Sequence, residues 1–144
     1  MGVDVEVLTE VTDEVVEAFE RLLPQLSSSA PPLDASGIAA IVASPACTVL
    51  LARVDGRIVG TLTLAIFPIP TGVRAWIEDV VTDEAARGRG VGLELTLEAI
   101  RLAQAAGART VDLTTRPARE AAGRLYERVG FELRDSRLYR YRAG

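Results

Sequence analysis

Three glycines and two arginines between residues 87 and 92 form the segment of this sequence whose residue types best suit binding of an anion. The segment reads Arg87-Gly88-Arg89-Gly90-Val91-Gly92 and lies between an apolar run and a long helical pattern. Glycines let successive backbone N–H groups face one point, and a helix beginning there adds the positive end of its dipole. The missing Cβ atoms allow a diphosphate to approach closely. The two guanidinium groups add charge-assisted donors, so the segment predicts a phosphate site.

Two other known glycine motifs do not fit this segment. A dinucleotide fingerprint counted from Gly88 requires a glycine at position 93, where the chain has Leu93. A P-loop requires a lysine, and the chain has none. A plain tight turn is the remaining alternative, but three glycines in five residues would be destabilising without a further reason for them.

The residues that the chain lacks narrow its chemistry further. There is no histidine, no lysine and only one cysteine, Cys47, in 144 residues. This excludes Ser-His-Asp and Cys-His catalysis, lysine Schiff bases and the usual histidine or thiolate metal sites, so no metal is expected. Proton transfer must use Asp, Glu, Tyr, Cys47, a terminus or water. Cys47 heads an apolar stretch, which favours a small buried hydrophobe over a nucleophile.

Charge is distributed unevenly along the chain, whose net charge is −4. Residues 1–72 hold 3 Arg and 9 acids, whereas residues 73–144 hold 13 Arg and 11 acids. A phosphate-bearing ligand is therefore expected in the second half. The sequence has no basic run with interleaved aromatic residues, the pattern that predicts nucleic-acid binding, so no nucleic-acid partner is expected. No apolar run reaches the ~18–20 residues that span a bilayer, and the acidic N-terminus does not resemble a signal peptide, so we expect a cytoplasmic protein without a membrane partner.

Periodicity and turn signals place the glycine segment between a strand and a helix of a single domain over residues 1–144. Asp55-Gly56 predicts a hairpin turn, and Gly107 the end of the long helix. The predicted strands are an N-terminal one at residues 3–7, then 47–54, 57–67, 73–82, 110–115, 131–133 and 137–142. The predicted helices run from the cap Thr12 to the stop Pro24, from Asp34 to before Pro45, over 90–106, and from Pro117 to Gly130. Antiparallel hairpins followed by a β-α-β unit imply an α/β fold with a mixed sheet and helices on both faces.

Two spaced motifs resemble those of the GNAT superfamily of N-acetyltransferases. Residues 87–92 resemble its pyrophosphate loop, Arg/Gln-x-x-Gly-x-Gly/Ala, and residues 119–131 are similar to its second signature, Asn-x-x-Ala-x-x-Leu-Tyr-x-x-x-Gly-Phe. The resemblance is close over residues 73–132 and is one of topology elsewhere. It implies the acyl-CoA N-acyltransferase fold, with a mostly antiparallel sheet of six to seven strands, and a function in acetyl transfer from acetyl-CoA.

The resemblance also implies roles for individual residues. Backbone groups of Val80, Val81 and Thr82 hydrogen-bond the pantetheine arm of the cofactor. The pyrophosphate is held by main-chain N–H groups of Arg87, Gly88, Arg89, Gly90, Val91 and Gly92. Tyr126 lies near the thioester sulfur and protonates the leaving thiolate. Arg119 stands where the family has Asn and is expected to reach a CoA phosphate, with Arg116, Arg124 and Arg128 as alternative partners of the 3′-phosphate.

The implied reaction is direct attack of a neutral amine on the thioester, without an enzyme nucleophile. An amine of pKa ~10 is mostly protonated at pH 7, so a base or a water chain must accept a proton. Glu78 is the favoured base and Asp79 a ligand of substrate or water, although both are equally consistent with solvent-facing acids. Because adjacent strand residues point to opposite faces, at most one is expected to face the cleft. The N–H of Val80 or Val81 is expected to hold the oxyanion.

Catalysis, the acceptor and the role of the C-terminal tail stay open. A non-catalytic acyl-CoA-binding sensor or partner domain would keep Gly90 and Gly92 but would need neither Tyr126 nor a nearby carboxylate. The acceptor is an amine of a small molecule or a protein, and the acidic N-terminal half favours a cationic one. The tail at residues 138–142 alternates as a strand that completes the sheet or is exchanged across a homodimer.

Overall fold

A computed structural model describes residues 2–144. The chain divides into two compact units, one that ends at Leu113 and one that spans Thr114–Gly144. The strands of the first unit are β1 (Asp4–Val7), β2 (Cys47–Val54), β3 (Arg57–Ile69), β4 (Gly72–Thr82) and β5 (Thr110–Asp112). Its helices are α1 (Asp13–Leu26), α2 (Ala35–Ala43) and α3 (Val91–Ala105), with a 3₁₀ turn at Glu84–Ala86. The second unit holds α4 (Glu120–Arg128).

The strands form one mixed sheet in the order β1-β2-β3-β4-β5. The first three pairings are antiparallel, and β5 joins β4 in parallel after the α3 crossover. The α/β class, the mixed, mostly antiparallel sheet and the strand–glycine–helix order are confirmed. The prediction of six to seven strands is wrong for the described residues, which contain five.

Helices cover both faces of the sheet. Alternate β2 residues Val49 and Leu51 pack in one cluster with Phe19 of α1 and Ile38 of α2. The intervening β2 residue Leu50 is fully buried on the opposite face, because successive side chains of a strand alternate. That face is covered by α3, which contacts β1, β2, β3 and β4. The glycine segment at the start of α3 is thereby fixed to the centre of the sheet.

Side-chain caps set the starts of the first two helices as predicted. The Thr12 hydroxyl accepts a hydrogen bond from the Val15 amide at 3.3 Å, and the Asp34 carboxylate from the Gly37 amide at 2.8 Å. The predicted stop at Pro24 is wrong, since α1 continues through it to Leu26. Pro24 lies in the last turn, where the helix loses only one hydrogen bond to the missing N–H.

The strand prediction for residues 57–67 is two residues too short, because β3 extends through Pro68 to Ile69. The β2 pairing ends where Cys47 meets Ala65, whereas the β4 pairing continues through Pro68 opposite Val73. Pro68 therefore lies where β3 has a partner on one side only, and a proline is tolerated at such an edge.

The second unit departs most from the sequence prediction. The helix begins at Glu120 rather than at Pro117, because residues 116–119 form a turn closed by the Arg119 amide donating to the Arg116 carbonyl at 2.9 Å. Neither predicted strand, 131–133 or 137–142, is present in this unit. Alternation of side chains favours a strand but supplies no partner for its backbone groups.

Val91 and Leu95 of α3 pack closely over Gly60 of β3. A Cβ built at Gly60 would lie 2.7 Å from Val91 Cγ1 and 3.2 Å from Leu95 Cδ1. We expect Gly60→Ala to lower the free energy of unfolding by about 1–3 kcal/mol, because the added methyl group overpacks this contact. Urea unfolding followed by the fluorescence of Trp76, the only tryptophan of the chain, measures the change.

The control for Gly60→Ala is Gly123→Ala in α4, where an added Cβ meets nothing within 4 Å. This control should not lower the stability that Trp76 reports. An unchanged midpoint in Gly60→Ala would show that α3 is not packed on Gly60 as described.

Candidate active site

The glycine loop follows β4 and leads directly into α3. Gly88 and Gly90 have φ values of 82° and 81°, in the left-handed region that other residues avoid. A Cβ at either position would meet nothing within 4 Å. The two glycines are therefore required by backbone conformation, and the space above them is open to a ligand. All residues from Arg87 to Gly90 are exposed.

The first turn of α3 faces this open space without a side-chain cap. Gly90 occupies the N-cap position, and the first helical hydrogen bond runs from the Glu94 amide to the Gly90 carbonyl at 3.0 Å. The first amides of the helix thus have no intrahelical acceptor. Val91 is buried against the sheet and holds the helix end in place, so the amides point to a fixed position suited to an anion.

The strand that precedes the loop is irregular at the two candidate acids. In the β3–β4 register Thr61 lies opposite Val81 and Thr63 opposite Glu78, so β4 carries one additional residue. Asp79 within this bulge has a φ of 49°, a left-handed conformation that Asp tolerates better than most residues. Glu78 and Asp79 are both exposed. The predicted strict alternation is wrong here, because the bulge interrupts it.

The β4 edge that faces β5 is only partly paired. The parallel register covers Arg74, Ala75 and Trp76 opposite Thr110, Val111 and Asp112. Within the described residues, β4 has no strand partner on this side from Ile77 to Thr82. Backbone groups of Val80, Val81 and Thr82 are part of this segment, so the structure brings together the residues that the sequence assigns to the pantetheine arm and the pyrophosphate.

Tyr126 and Arg119 belong to the second unit. The Tyr126 ring lies edge-on to Phe131, with ring centroids 5.7 Å apart. Burial raises the pKa of the Tyr126 phenol above its ordinary value, and the positive charge of Arg119 opposes this rise. Tyr126 therefore keeps its proton at neutral pH, as a proton donor must. Arg124 lies 3.8 Å from Glu120 on the surface of α4.

A cavity of about 560 Å³ lies beside α1 and the loop that leads to α2. Its lining is mainly apolar and includes Phe19, Leu23 and Leu33, with the acidic residues Glu20 and Asp34. The loop contributes residues 27, 28 and 30–33 to the lining.

The sequence gives little indication that Gly60 and Asp83 help to hold the glycine loop in place. Gly60 appears there as an isolated strand glycine, and only the close approach of α3 explains it. Asp83 appears as a loop acid, yet its side chain is buried and accepts hydrogen bonds from Arg21 and Gln25 of α1. These partners lie about 60 residues away in sequence, so no local pattern predicts them.

The described part of the chain, residues 2–144, contains no group of three His, Cys, Asp or Glu side chains placed to hold a metal ion. None of the helices in these residues combines the length and the apolar composition needed to cross a membrane.

The mixed sheet, the bulged β4, the glycine loop and the exposed start of α3 define an acyltransferase. Residues 9–131 match the model of the acetyltransferase (GNAT) family, which places the chain in that family. The protein is therefore an N-acetyltransferase of the GNAT type, and the predicted family, fold and enzyme class are confirmed.

Three relatives illustrate the similarity. The chain is 37% identical over 134 residues to a probable glucosamine 6-phosphate N-acetyltransferase 2 of Oryza sativa subsp. japonica, covering 85% of this chain and 78% of that protein. It is 34% identical over 91 residues to the N-alpha-acetyltransferase MAK3 of Arabidopsis thaliana, covering 63% of this chain and 47% of that protein. A putative acetyltransferase from Agrobacterium tumefaciens str. C58 superposes with a TM-score of 0.85 at 30% identity, over 96% of this chain and 99% of that one.

Substitution of Gly90 tests the loop. We expect Gly90→Ala to weaken acetyl-CoA binding about tenfold, because an L-residue in the left-handed region costs about 1–2 kcal/mol. Gly90→Glu should abolish binding, since it adds a negative charge beside the pyrophosphate. Isothermal titration calorimetry measures both dissociation constants.

Gly107→Ala is the matched control for Gly90→Ala. Gly107 follows the other end of α3, has a φ of 82° and has nothing within 4 Å of an added Cβ. It should reproduce the loss of stability with acetyl-CoA affinity unchanged. Equal affinities of Gly90→Glu and wild type would contradict a cofactor site at this loop.

Proposed function

We propose that the protein transfers the acetyl group of acetyl-CoA to a primary amine of a small molecule or a protein by direct attack. The observation that carries this proposal is the pair of left-handed glycines, Gly88 and Gly90, before an uncapped helix and after a bulged, half-paired strand. Backbone amides at a helix start suit a pyrophosphate, and an unpaired strand edge suits an extended amide-containing chain.

In this proposal the cofactor is held mainly by backbone groups. Val80, Val81 and Thr82 hydrogen-bond the pantetheine arm along the unpaired β4 edge. The pyrophosphate lies on the amides of residues 87–92, with the Arg87 and Arg89 side chains adding positive charge. Arg119 contacts a CoA phosphate, with Arg116, Arg124 and Arg128 as alternative partners of the 3′-phosphate.

The reaction proceeds in the following order. The amine nitrogen attacks the thioester carbon, and the carbonyl oxygen takes the negative charge, stabilised by the N–H of Val80 or Val81. Glu78, or a water molecule held with Asp79, accepts the proton that the nitrogen loses. The carbon–sulfur bond then breaks, the amide forms, and Tyr126 gives its proton to the CoA thiolate. The exposure of Glu78 and Asp79 supports access of both to an incoming amine.

The names of the relatives support an amine as the acceptor. Two of the relatives are named as an N-alpha-acetyltransferase and a probable glucosamine 6-phosphate N-acetyltransferase, and both names indicate transfer to nitrogen. Residues 1–72 hold 9 acids against 3 Arg, and Glu20 and Asp34 line the cavity beside α1. These charges favour a cationic amine over an anionic one. An amine library scored by release of free CoA thiol tests this preference.

A non-catalytic acyl-CoA-binding domain is the alternative. Such a domain would need neither Tyr126 nor a nearby carboxylate, whereas the proposed enzyme uses both. If acetyl-CoA binds but no amine in the library releases thiol above the rate without amine, the sensor is the better interpretation.

We also propose a single domain over residues 1–144 that acts in the cytoplasm as a homodimer. Large apolar side chains of the second unit, including Leu133, Tyr139 and Tyr141, are 86–93% exposed. Exposed apolar side chains that cluster on a surface often mark an interaction site. The dimer would have twice the chain mass of 15.4 kDa in light scattering.

Tyr126→Phe tests the proposed general acid. Loss of the phenolic proton should reduce kcat about 10²-fold, at the lower end of the usual range for general acid catalysis. The KM for acetyl-CoA should change little, because the ring and its contact with Phe131 are retained. Steady-state release of thiol measures both constants, and an unchanged kcat would exclude Tyr126 as the acid.

The pH profile is a second test of Tyr126. Burial raises the pKa of this phenol, so the protonated form persists through neutral pH and is lost only as pH rises through the raised pKa. Wild-type kcat should therefore fall at strongly alkaline pH, and this fall should be absent in Tyr126→Phe. In Arg119→Met the fall should shift to higher pH, since the charge that lowers the pKa is removed. A shift to lower pH would contradict the assignment.

A further inference from the structure

Two side chains of α1 attach this helix to the start of the glycine loop. Arg21 Nη1 donates to Asp83 Oδ2 at 2.8 Å, and Arg21 Nη2 donates to the backbone carbonyl of Ile58 at 3.2 Å. Gln25 Oε1 accepts from the Glu84 amide at 2.9 Å, and Gln25 Nε2 donates to Asp83 Oδ1 at 3.4 Å. Three of these bonds join α1 to Asp83 and Glu84, between β4 and the glycines, and the fourth joins it to Ile58 of β3.

Asp83 is the centre of this network. Its side chain is buried, and its Oδ1 also accepts from the Ala85 amide at 3.1 Å, which caps the 3₁₀ turn Glu84–Ala86. The Asp83 amide donates to the Val59 carbonyl at 2.8 Å. The Ala85 amide, followed by Arg21 and Gln25, lowers the pKa of the Asp83 carboxyl, so it is ionised at neutral pH. A buried charge is stable only with such partners.

The position of Asp83 determines how the loop starts. The 3₁₀ turn that it caps ends at Ala86, a buried residue, and Arg87 follows in extended conformation. Gly88 and Gly90 come next, and glycines have more backbone freedom than other residues. The far end of the loop is fixed by Val91 of α3, which packs beside Gly60. A flexible loop presents its amides in one geometry only if both of its ends are fixed.

We propose that Arg21, acting through Asp83, is a positioning residue for the pyrophosphate-binding loop. Arg21 makes no contact with the loop glycines. It holds the carboxylate that caps the turn before them and ties the same carboxylate to the sheet through Ile58. This inference depends on the proposed function, because it concerns how well the loop binds the pyrophosphate of acetyl-CoA.

The test compares acetyl-CoA with S-acetylpantetheine, which has the same thioester and pantetheine arm but lacks the pyrophosphate. Calorimetry on the full chain gives the dissociation constant of each compound. In Arg21→Met the dissociation constant of acetyl-CoA should rise about tenfold, equivalent to about 1.4 kcal/mol. That of S-acetylpantetheine should stay within about twofold. Arg21→Lys should recover part of the loss, because lysine keeps the ion pair with Asp83 but not the forked geometry.

Arg53→Met is the matched control. Arg53 also joins the sheet to α1, through ion pairs with Glu6 of β1 and Glu14 of α1. It belongs to β2, whereas the glycine loop follows β4, and it contacts neither Asp83 nor Gln25. Its loss should lower stability without changing the ratio of the two dissociation constants.

Hydrogen exchange gives a second measurement that does not depend on weak binding of S-acetylpantetheine. At saturating acetyl-CoA, the amides of residues 88–92 should be protected in wild type and Arg53→Met but about tenfold less in Arg21→Met. The amides of residues 80–82 should be protected equally in all three. Asp83→Asn, which keeps the size of the side chain and the cap on Ala85, replaces Arg21→Met if that variant does not fold, with the same expected pattern.

The outcomes separate the two proposals. A wild type that binds neither compound, or both equally, refutes the pyrophosphate site and thus the proposed function. Suppose that wild type prefers acetyl-CoA and that Arg21→Met keeps both this preference and the protection of residues 88–92. This result refutes the positioning role but not the proposed function. An equal loss of affinity for both compounds in Arg21→Met also refutes it, because general destabilisation does not distinguish them.

Discussion

The close packing of α3 on β3 at Gly60 is the constraint on which the glycine loop depends. A helix presents its first amides to a ligand only if its axis is fixed, and the axis is fixed here by Val91 and Leu95 packed over a residue without a side chain. The alternate β2 and β3 residues beneath α3 are buried, as is Leu95 itself. Packing in the core of the sheet thus determines the geometry of an exposed loop that has no side-chain cap.

The opposite end of the loop depends on electrostatics instead of packing. A buried carboxylate, Asp83, is held by a guanidinium and an amide from α1. Such a bond is directional, so it fixes the orientation of the 3₁₀ turn as well as its position. One end of the loop is therefore placed by close-packed apolar groups and the other by an ion pair, and the two glycines between them adopt the conformation that these ends impose.

Local signals in the sequence were sufficient for much of this structure. The caps Thr12 and Asp34, the Asp55-Gly56 turn and the glycine segment act over a few residues, and the elements that follow them begin within one residue of the predicted starts. The strand Cys47–Val54 was predicted with its observed bounds. The family and the fold followed from two motifs, each lying within one strand–loop–helix or helix–turn segment.

The failures have a common physical cause, which is dependence on distant residues. A proline stops a helix or a strand only where the N–H that it lacks would have made a hydrogen bond. For Pro24 this depends on where the helix ends, and for Pro68 on which strands pair beside it. The strands predicted after residue 130 required a partner that no local pattern identifies. The bulge at Asp79, the contact at Gly60 and the Arg21–Asp83 bond each join residues that are far apart in sequence or break a regular repeat.

The bulge at Asp79 has a consequence for association between molecules. An open strand edge such as that of β4 after Trp76 offers unpaired backbone groups to any extended chain, and regular edges of this kind promote aggregation. A left-handed residue in the middle of the edge breaks the regular repeat of donors and acceptors. A second polypeptide strand therefore cannot pair in register across this residue, and the irregularity protects the edge from association.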